Sequence, residues 1–277
     1  MKMIRFLKRG SAIAAFSSLL LVAGCAAVQT TGSGTVGVDR KQYMSSMVSE
    51  QALIQEAQQQ YTSLVSQARA QGALDTNTQQ TARVRAITQR LIAQVGVFRP
   101  DAVNWNWEVH VLNSDEVNAW CMPGGKMAVY SGMINRLKLS DAELAAVIGH
   151  EMAHALREHS REQVSQQMMT GMGLSVLSAI TGSSATTDLG SKLTEVMFTL
   201  PNSRTHETEA DRMGVELAAR AGYDPRAAIT LWQKMGSLGD GSAPPEFLST
   251  HPSAASRTAD LTRIAEQVMP LYEAARR

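Results

Sequence analysis

Two histidines and a glutamate lie together in the segment His150-Glu151-Met152-Ala153-His154. Residues four positions apart on an α-helix share a face, so both imidazoles could bind one metal ion. The Glu151 carboxylate, next to the first histidine, could then take a proton from a water molecule on that metal. The spacing therefore predicts a metal-dependent hydrolytic site on a helix.

The residues around this segment predict that the helix is buried. Ser140 and Glu143 have the spacing of a capping box, which starts a helix by satisfying its first backbone N–H groups. Apolar residues then follow at helical spacing, at Leu144, Val147, Ile148 and Leu156. Such an apolar face packs into a core, so we expect the two histidines to be buried as well.

A second acidic segment offers the missing ligand. A catalytic zinc ion usually has three protein ligands and keeps a fourth position for water, so His150 and His154 leave it one short. Glu207 and Asp211 are four residues apart and share a helix face. We predict that Glu207 is the third ligand and that Asp211 binds the free ring nitrogen of a ligating histidine. His206 remains an alternative third ligand.

Two other residues near these motifs are expected to lie outside the metal site. A metzincin would have its third histidine six residues after His154, where this sequence has Ser160, so that class is excluded. His159 is offset around the helix from His154 and is assigned a structural role. Glu209 is expected to point to the face opposite Glu207.

The first 25 residues have the features of an export signal. The basic residues Lys2, Arg5, Lys8 and Arg9 precede a short apolar stretch at residues 11–23, and the sequence Leu21-Val22-Ala23-Gly24-Cys25 resembles a bacterial lipobox. That stretch is shorter than the ~20 residues needed to span a bilayer. We therefore predict a lipoprotein signal peptide at residues 1–24 and acylation of Cys25. Ala26 in the next position favours the outer membrane, facing the periplasm.

The charge balance and the cysteine content indicate which partners and which disulfides can be expected. The chain has 277 residues with 26 basic and 25 acidic side chains, and its body contains no dense basic cluster. Nucleic acid is therefore excluded as an expected partner. If Cys25 carries lipid, Cys121 is the remaining thiol, so no internal disulfide is expected and Cys121 should be a small buried residue.

The pattern along the chain predicts a mainly helical α+β fold with a small sheet beside the motif helix. Residues 25–41 are interpreted as the lipidated N-terminus and a flexible tether, since residues 30–38 are rich in Gly, Ser and Thr. Residues 42–98 are predicted to form two helices, at 42–70 and 75–95, packed on the core or forming a coiled coil with a partner. Residues 99–277 are predicted to form the metallopeptidase domain, with strands near 105–111, 117–121 and 126–130.

The motifs together resemble a known family. HExxH followed about fifty residues later by S-R-x-x-E-x-E-A-D, with Pro123-Gly124-Gly125 and Thr250-His251-Pro252, is similar to the HtpX, BepA, LoiP and CAAX-prenyl-protease family of zinc metallopeptidases. The lipobox and the lack of repeats make the chain more similar to LoiP-type lipoproteins. This resemblance implies a zincin-like domain, one zinc ion per subunit, and endopeptidase action on misfolded envelope proteins.

Several roles stay open from the sequence. Besides Glu151 as the base, the reaction needs a donor for the oxyanion, and His251 and then Arg204 are the candidates. His251 could instead be an extra zinc ligand that keeps the enzyme latent, or a residue that orders the turn before Pro252. The competing function is a lipid-anchored chaperone or assembly factor, supported by a Met-rich helix at 163–180.

Overall fold

The computed structural model describes the backbone of residues 25–181, 189–238, 246–252 and 255–277. Side chains are described for residues 26–170, 189–238, 246–252 and 256–277. The predicted signal peptide at residues 1–24 and the side chains of the Met-rich stretch at 171–181 therefore fall outside the described residues. Within the described part the chain is mainly helical with two small sheets, which confirms the predicted fold class.

The elements have the following bounds. The strands are β1 Cys25–Val28, β2 Gln42–Ser45, β3 Glu108–Leu112, β4 Ala119–Met122 and β5 Lys126–Tyr130. The helices are α1 Glu50–Ala70, α2 Thr78–Ile92, α3 Ser131–Arg136, α4 Asp141–Leu156, α5 His159–Thr181, α6 Leu189–Phe198, α7 Arg204–Arg220, α8 Ala227–Ser237, α9 Glu246–Thr250 and α10 Ala255–Ala275. Short 3-10 turns at Val95–Val97 and Pro100–Asn104 connect α2 to β3.

The larger sheet has the strand order β3-β5-β4. β3 runs parallel to the central strand β5, and β4 pairs with β5 antiparallel through the turn at residues 123–125. β4 therefore lies at one edge of this sheet, where it packs against the motif helix α4.

Helices α4 and α7 cross at a pair of glycines. A Cβ atom on Gly214 would lie 2.6 Å from the backbone N of His150, and one on Gly149 would lie 2.8 Å from the carbonyl O of Gly214. Both distances are shorter than real Cβ contacts, so the two backbones touch because neither residue has a side chain. This close approach brings the histidines of α4 within reach of the acidic residues of α7.

The N-terminal segment differs from the expected flexible tether. Thr31, Val36 and Val38 are buried, and the backbone N–H of Val36 donates to the Glu216 carboxylate at 3.0 Å. A Cβ atom on Gly34 would lie 2.3 Å from the Phe98 ring. The small residues of this segment therefore let the backbone pack closely on the domain, which composition alone cannot distinguish from flexibility.

The predicted N-terminal helices are shorter than expected. Gln42–Ser45 pairs with Cys25–Val28 as an antiparallel strand, and α1 begins after Ser49, whose hydroxyl accepts a hydrogen bond from the backbone N–H of Ala52. The second helix starts at Thr78, because Asn77 caps it and Asp75 has a left-handed backbone with φ of 52°.

The N-terminal helices pack on the core rather than extending from it. α1 buries Leu53, Ala57 and Tyr61 in a cluster with Trp120 and Met122 of β4. This supports the core-packing interpretation over a partner-binding coiled coil. Among the described residues, no helix combines the length and the apolar character required to cross a bilayer.

Candidate metal centre

Helix α4 places both motif histidines on a buried face. The predicted capping box is present, since the Ser140 hydroxyl accepts from the Glu143 N–H and the Glu143 carboxylate accepts from the Ser140 N–H. His150 and His154 are 4% and 6% exposed, and their Nε2 atoms lie 3.1 Å apart. Two ring nitrogens therefore converge on one point in the protein interior.

Helix α7 brings Glu207 to the same point. Its carboxylate oxygens lie 3.6 Å from His150 Nε2 and 3.4 Å from His154 Nε2. Ser203 starts this helix by accepting a hydrogen bond from the His206 N–H, which places Glu207 in the buried first turn. The structure thus brings together the three residues that the sequence assigned as metal ligands.

A fourth donor, His251, completes the cluster. One nitrogen or oxygen atom from each of His150, His154, Glu207 and His251 lies within 4.8 Å of all the others. The His251 ring stacks on Phe247 at 4.3 Å, and its Nε2 lies 3.4 Å from Glu151 Oε1. His251 therefore faces the reaction centre. Ordering the turn before Pro252 would not by itself account for this position.

The candidate base Glu151 is buried beside this cluster. Burial and the charge of Glu207 raise the pKa of Glu151 well above its usual range, while a backbone hydrogen bond from Cys121 opposes the shift. A divalent cation between the four donors would favour the ionised form again. Glu151 is thus a carboxylate whose proton affinity depends on the charge at the centre, as a general base requires.

Asp211 and an unpredicted arginine support His150. Asp211 Oδ1 lies 3.0 Å from His150 Nδ1, as the sequence predicted for a residue that orients the ring. Arg257 of α10 donates two hydrogen bonds of 2.7 Å to Asp211 and lies 2.6 Å from Glu207 Oε2. Burial favours a higher pKa for Asp211, but the charge of Arg257 and the hydrogen bonds from His150 and Arg257 outweigh it and lower the pKa to about 2.

His154 has a different partner. His159 Nδ1 lies 2.9 Å from His154 Nδ1, and His159 Nε2 lies 3.0 Å from Glu209 Oε2. From the sequence we predict only a structural role for His159 and a position for Glu209 on the far face of α7. That orientation is right, but the chain bends at Glu158, with φ of 53°, so that His159 fills the space between Glu209 and the metal ligand.

Two other predicted residues lie away from the centre. Arg204 is exposed at the start of α7 and forms no side-chain hydrogen bond or ion pair within the described part of the chain, so it is not placed to stabilise an oxyanion. His206 binds Glu162 at 3.1 Å and stacks on His159, which argues against it as the third ligand. The arginine at the centre is Arg257, and nothing in its local sequence separates it from surface arginines.

The donor set fits a zinc ion. Glu151 Oε1 and Glu207 Oε1 are buried and accept no hydrogen bond from the described residues, although buried polar atoms in proteins normally have a partner. The facing Nε2 atoms of His150 and His154 likewise need a proton or cation between them. Two imidazoles and one carboxylate form a typical catalytic zinc set, with His251 as an additional nitrogen donor.

A cleft of about 310 Å³ opens on the centre. Its lining includes Glu151, His154 and His251 on one side and residues 118–121, which contain the start of edge strand β4, on the other. Cys121 is buried in this strand, as expected from the sequence. An extended peptide lying along β4 would therefore pass beside Glu151.

The fold and this centre define a zincin-like metallopeptidase domain. The chain belongs to peptidase family M48, whose family model matches residues 78–265. This result confirms the predicted class of zinc metallopeptidase, and zinc is the metal that the family uses.

Curated relatives agree with this assignment. The chain is 40% identical over 169 residues to mitochondrial metalloendopeptidase OMA1 of Arabidopsis thaliana, covering 60% of this chain and 34% of the relative. It is 36% identical over 214 residues to OMA1 of Bos taurus, covering 72% and 40%. It is 29% identical over 220 residues to the β-barrel assembly-enhancing protease of Escherichia coli, covering 75% and 43%. The matches thus span less than half the length of each relative.

Proposed function

We propose that this protein is a zinc-dependent endopeptidase that hydrolyses peptide bonds of misfolded or misassembled proteins of the bacterial envelope. The observation that carries the proposal is the convergence of His150, His154 and Glu207 next to the buried carboxylate of Glu151. One oxygen of the Glu151 carboxylate has no hydrogen-bond partner among the described residues. A purely structural metal site would not need such a carboxylate beside it.

The residues divide the chemistry between them. His150, His154 and Glu207 would hold the zinc ion, which when bound lowers the pKa of water and polarises the peptide carbonyl. Glu151 takes a proton from the attacking water and delivers it to the departing amine. Asp211 and Arg257 keep His150 and Glu207 oriented.

The edge strand β4 supports this class of substrate. An extended peptide could pair along the outer edge of β4 if it displaced Asn118 and Glu151, which accept hydrogen bonds from the N–H groups of Ala119 and Cys121. Such pairing recognises backbone rather than side chains. Only an unfolded or locally opened protein presents its backbone in this way. The E. coli relative is named for an effect on β-barrel assembly, which supports envelope proteins as clients.

Membrane attachment is a separate part of the proposal. The lipobox supports acylation of Cys25 and anchoring in the outer membrane, in the manner of LoiP-type lipoproteins. Labelling the cells with a fatty-acid analogue tests it, because a Cys25→Ser variant should lose the label that the parent protein carries. A parent protein that carries no label would contradict the anchor without affecting the assignment of the peptidase site.

The decisive test of the activity is Glu151→Gln. The variant should keep its zinc content and fold but lose roughly 10²–10⁴-fold in the rate of casein or peptide cleavage, because its proton acceptor is gone. EDTA should abolish cleavage by the parent. Glu246→Gln is a matched control, since Glu246 lines the same cleft but is not part of the centre, and it should cleave normally.

The same assay separates the peptidase from a chaperone. Undiminished cleavage by Glu151→Gln would show that the chemistry lies elsewhere. A parent protein that binds zinc and suppresses aggregation of an unfolded client without cleaving it would instead support the lipid-anchored chaperone.

A further inference from the structure

The imidazole of His159 is hydrogen-bonded to His154 on the side of the ring that faces away from the metal centre. His154 Nδ1 and His159 Nδ1 are 2.9 Å apart, and both side chains are buried. Two ring nitrogens at this distance share one hydrogen, so one ring donates and the other accepts. The direction of this hydrogen bond decides which nitrogen of His154 has a free lone pair.

The other side of His159 settles that direction. His159 Nε2 lies 3.0 Å from Glu209 Oε2, and an ionised carboxylate only accepts hydrogen bonds. Nε2 of His159 therefore carries the hydrogen. A neutral imidazole has one N–H group, so His159 Nδ1 must accept the hydrogen bond from His154 Nδ1. His154 Nε2 is then left with its lone pair facing His150 and Glu207.

The charges around His159 favour its neutral form. Glu209 and Glu162 are paired with Arg40 and Arg157, and the adjacent buried Glu158 has arginine partners of its own. Each of these buried carboxylates therefore already has a cationic partner. A charged His159 would add a buried cation without a counter-ion, which is costly in a protein interior.

Arg40 connects this network to the N-terminal segment. Its guanidinium binds Glu209 at 2.7 Å and Glu162 at 2.8 Å, so one side chain joins the segment before β2 to α7 and α5. Arg157 binds Glu209 from the end of α4 at 3.2 Å. The position of the Glu209 carboxylate therefore depends on a residue more than a hundred positions away in sequence.

We propose that His159 and Glu209 are positioning residues that fix the proton on His154 Nδ1 and so present His154 Nε2 to the metal. Arg40 secures Glu209, which makes the N-terminal segment part of the support of the metal centre. The inference rests on the proposed zinc site. Partners of this kind typically change metal affinity by about 10- to 100-fold when they are removed.

The test is the zinc dissociation constant of the full chain, measured by competition with a chromogenic chelator. His159→Phe keeps the ring volume but removes both nitrogens, and it should weaken zinc binding by about 10- to 100-fold. His159→Asn keeps an acceptor close to the position of Nδ1 and should restore part of the affinity. Arg40→Met should weaken binding less than His159→Phe, and Arg40→Lys less again.

His206→Phe is the matched control. His206 stacks on His159 at 4.3 Å and is similarly buried, but its ring forms hydrogen bonds with Glu162 and Gln163 and not with a proposed ligand. This variant should keep the parent affinity even if it unfolds at a lower urea concentration. The visible spectrum of the cobalt-substituted protein gives a second readout, and it should change in His159→Phe but not in His206→Phe.

The outcomes are distinct. Parent-like zinc affinity and an unchanged cobalt spectrum in folded His159→Phe would overturn the inference and leave the proposed function standing. Equal losses in His159→Phe and His206→Phe would also overturn it, because packing alone would then explain both. A parent protein that binds no zinc would overturn the proposed function and this inference together.

Discussion

The two motif histidines lie on the same helix and face the same point, yet they are supported differently. His150 donates directly to Asp211, and Arg257 balances the charge of that carboxylate. His154 reaches a carboxylate only through His159, and arginines from two other parts of the chain hold that carboxylate. One requirement, a ring nitrogen with a free lone pair, is thus met by two arrangements.

The difference follows from where each histidine lies on α4. His150 lies at the crossing with α7, where Asp211 is close enough for direct contact. His154 lies near the end of α4, where the chain turns at Glu158 and returns as α5. That turn leaves a gap between His154 and α7, and His159 fills it. The Glu209 carboxylate thus orients His154 through His159, without contacting His154 itself.

Gly214→Ala should have the largest effect, because α7 supports both histidines. The new Cβ would lie 2.6 Å from the backbone N of His150, so the helices must separate. A displacement approaching 1 Å can cost on the order of a hundredfold in rate. We expect cleavage to fall by about that factor and zinc binding to weaken, measured by peptide hydrolysis and chelator competition.

Gly236→Ala is the control for this change. Gly236 also lies in a helix, α8, but a Cβ there meets no atom within 4 Å. It should leave activity unchanged and slightly raise the free energy of unfolding, since Ala favours helix over Gly. Normal zinc binding by Gly214→Ala would show that the two helices can separate without disturbing either histidine.

Asp211→Ala should disturb His150 and leave the support of His154 in place. It removes the partner of His150 and leaves Arg257 with Glu207 alone, so we expect about 10- to 100-fold weaker zinc binding. Breaking the buried ion pair should also lower the free energy of unfolding by about 3–5 kcal/mol. Chelator competition and urea denaturation measure the two effects.

The pH dependence of that variant checks the cause. The pKa of Asp211 is lowered to about 2 from its ordinary 3.8, so its ionised form stabilises the fold. That contribution is complete above pH ~4 and is lost as the pH falls through about 2. The stability difference between the zinc-free parent and Asp211→Ala should therefore shrink by about 2 kcal/mol over this range. A constant difference would argue against an electrostatic role.

His251→Ala tests the role of His251, whose ring hydrogen-bonds with neither the Asp211–Arg257 pair behind His150 nor the His159–Glu209 pair behind His154. His251 is the fourth donor of the cluster, where a catalytic site normally keeps a position open for water. Its removal should raise the rate of peptide cleavage by a few-fold, on the order expected for freeing one partly occupied position. Slower cleavage would instead favour an oxyanion donor, and an unchanged rate would favour a role confined to the turn.

Arg204→Ala should have the smallest effect. Arg204 is exposed and contacts neither histidine nor its partners, so cleavage and zinc affinity should match those of the parent. Surface substitutions of this kind usually change the free energy of unfolding by less than ~0.5 kcal/mol. A clear loss of rate would mean that Arg204 moves to the centre when substrate binds, and would restore it as an oxyanion donor.

The local part of the centre was predictable because helical spacing acts over a few residues. The capping box at Ser140 and Glu143 and the facing histidines of α4 follow from the helical period. The pairing of Glu207 with Asp211 follows from the same rule on α7. A zinc site also needs a third ligand, so an acidic helix elsewhere in the chain had to supply it.

The errors arose where distant segments meet. The Gly, Ser and Thr residues of 30–38 predict a flexible tether, but the same residues also suit closely packed backbone. The sequence does not distinguish the buried Arg257 from the exposed Arg204, because no local pattern shows on which helix face an arginine will be buried. Glu209 was placed on the correct face, but its partner His159 depends on the bend at Glu158.

The sequence by itself determined the motif helix α4 with its cap, the ligand types and the position of the base, because these depend on neighbours within one or two turns. Only the tertiary structure decided which residues stand behind the ligands. Those contacts come from the glycine crossing of α4 and α7, the bend before α5 and the packing of the N-terminal segment. Each joins residues that are far apart in sequence, and no local pattern encodes their distance.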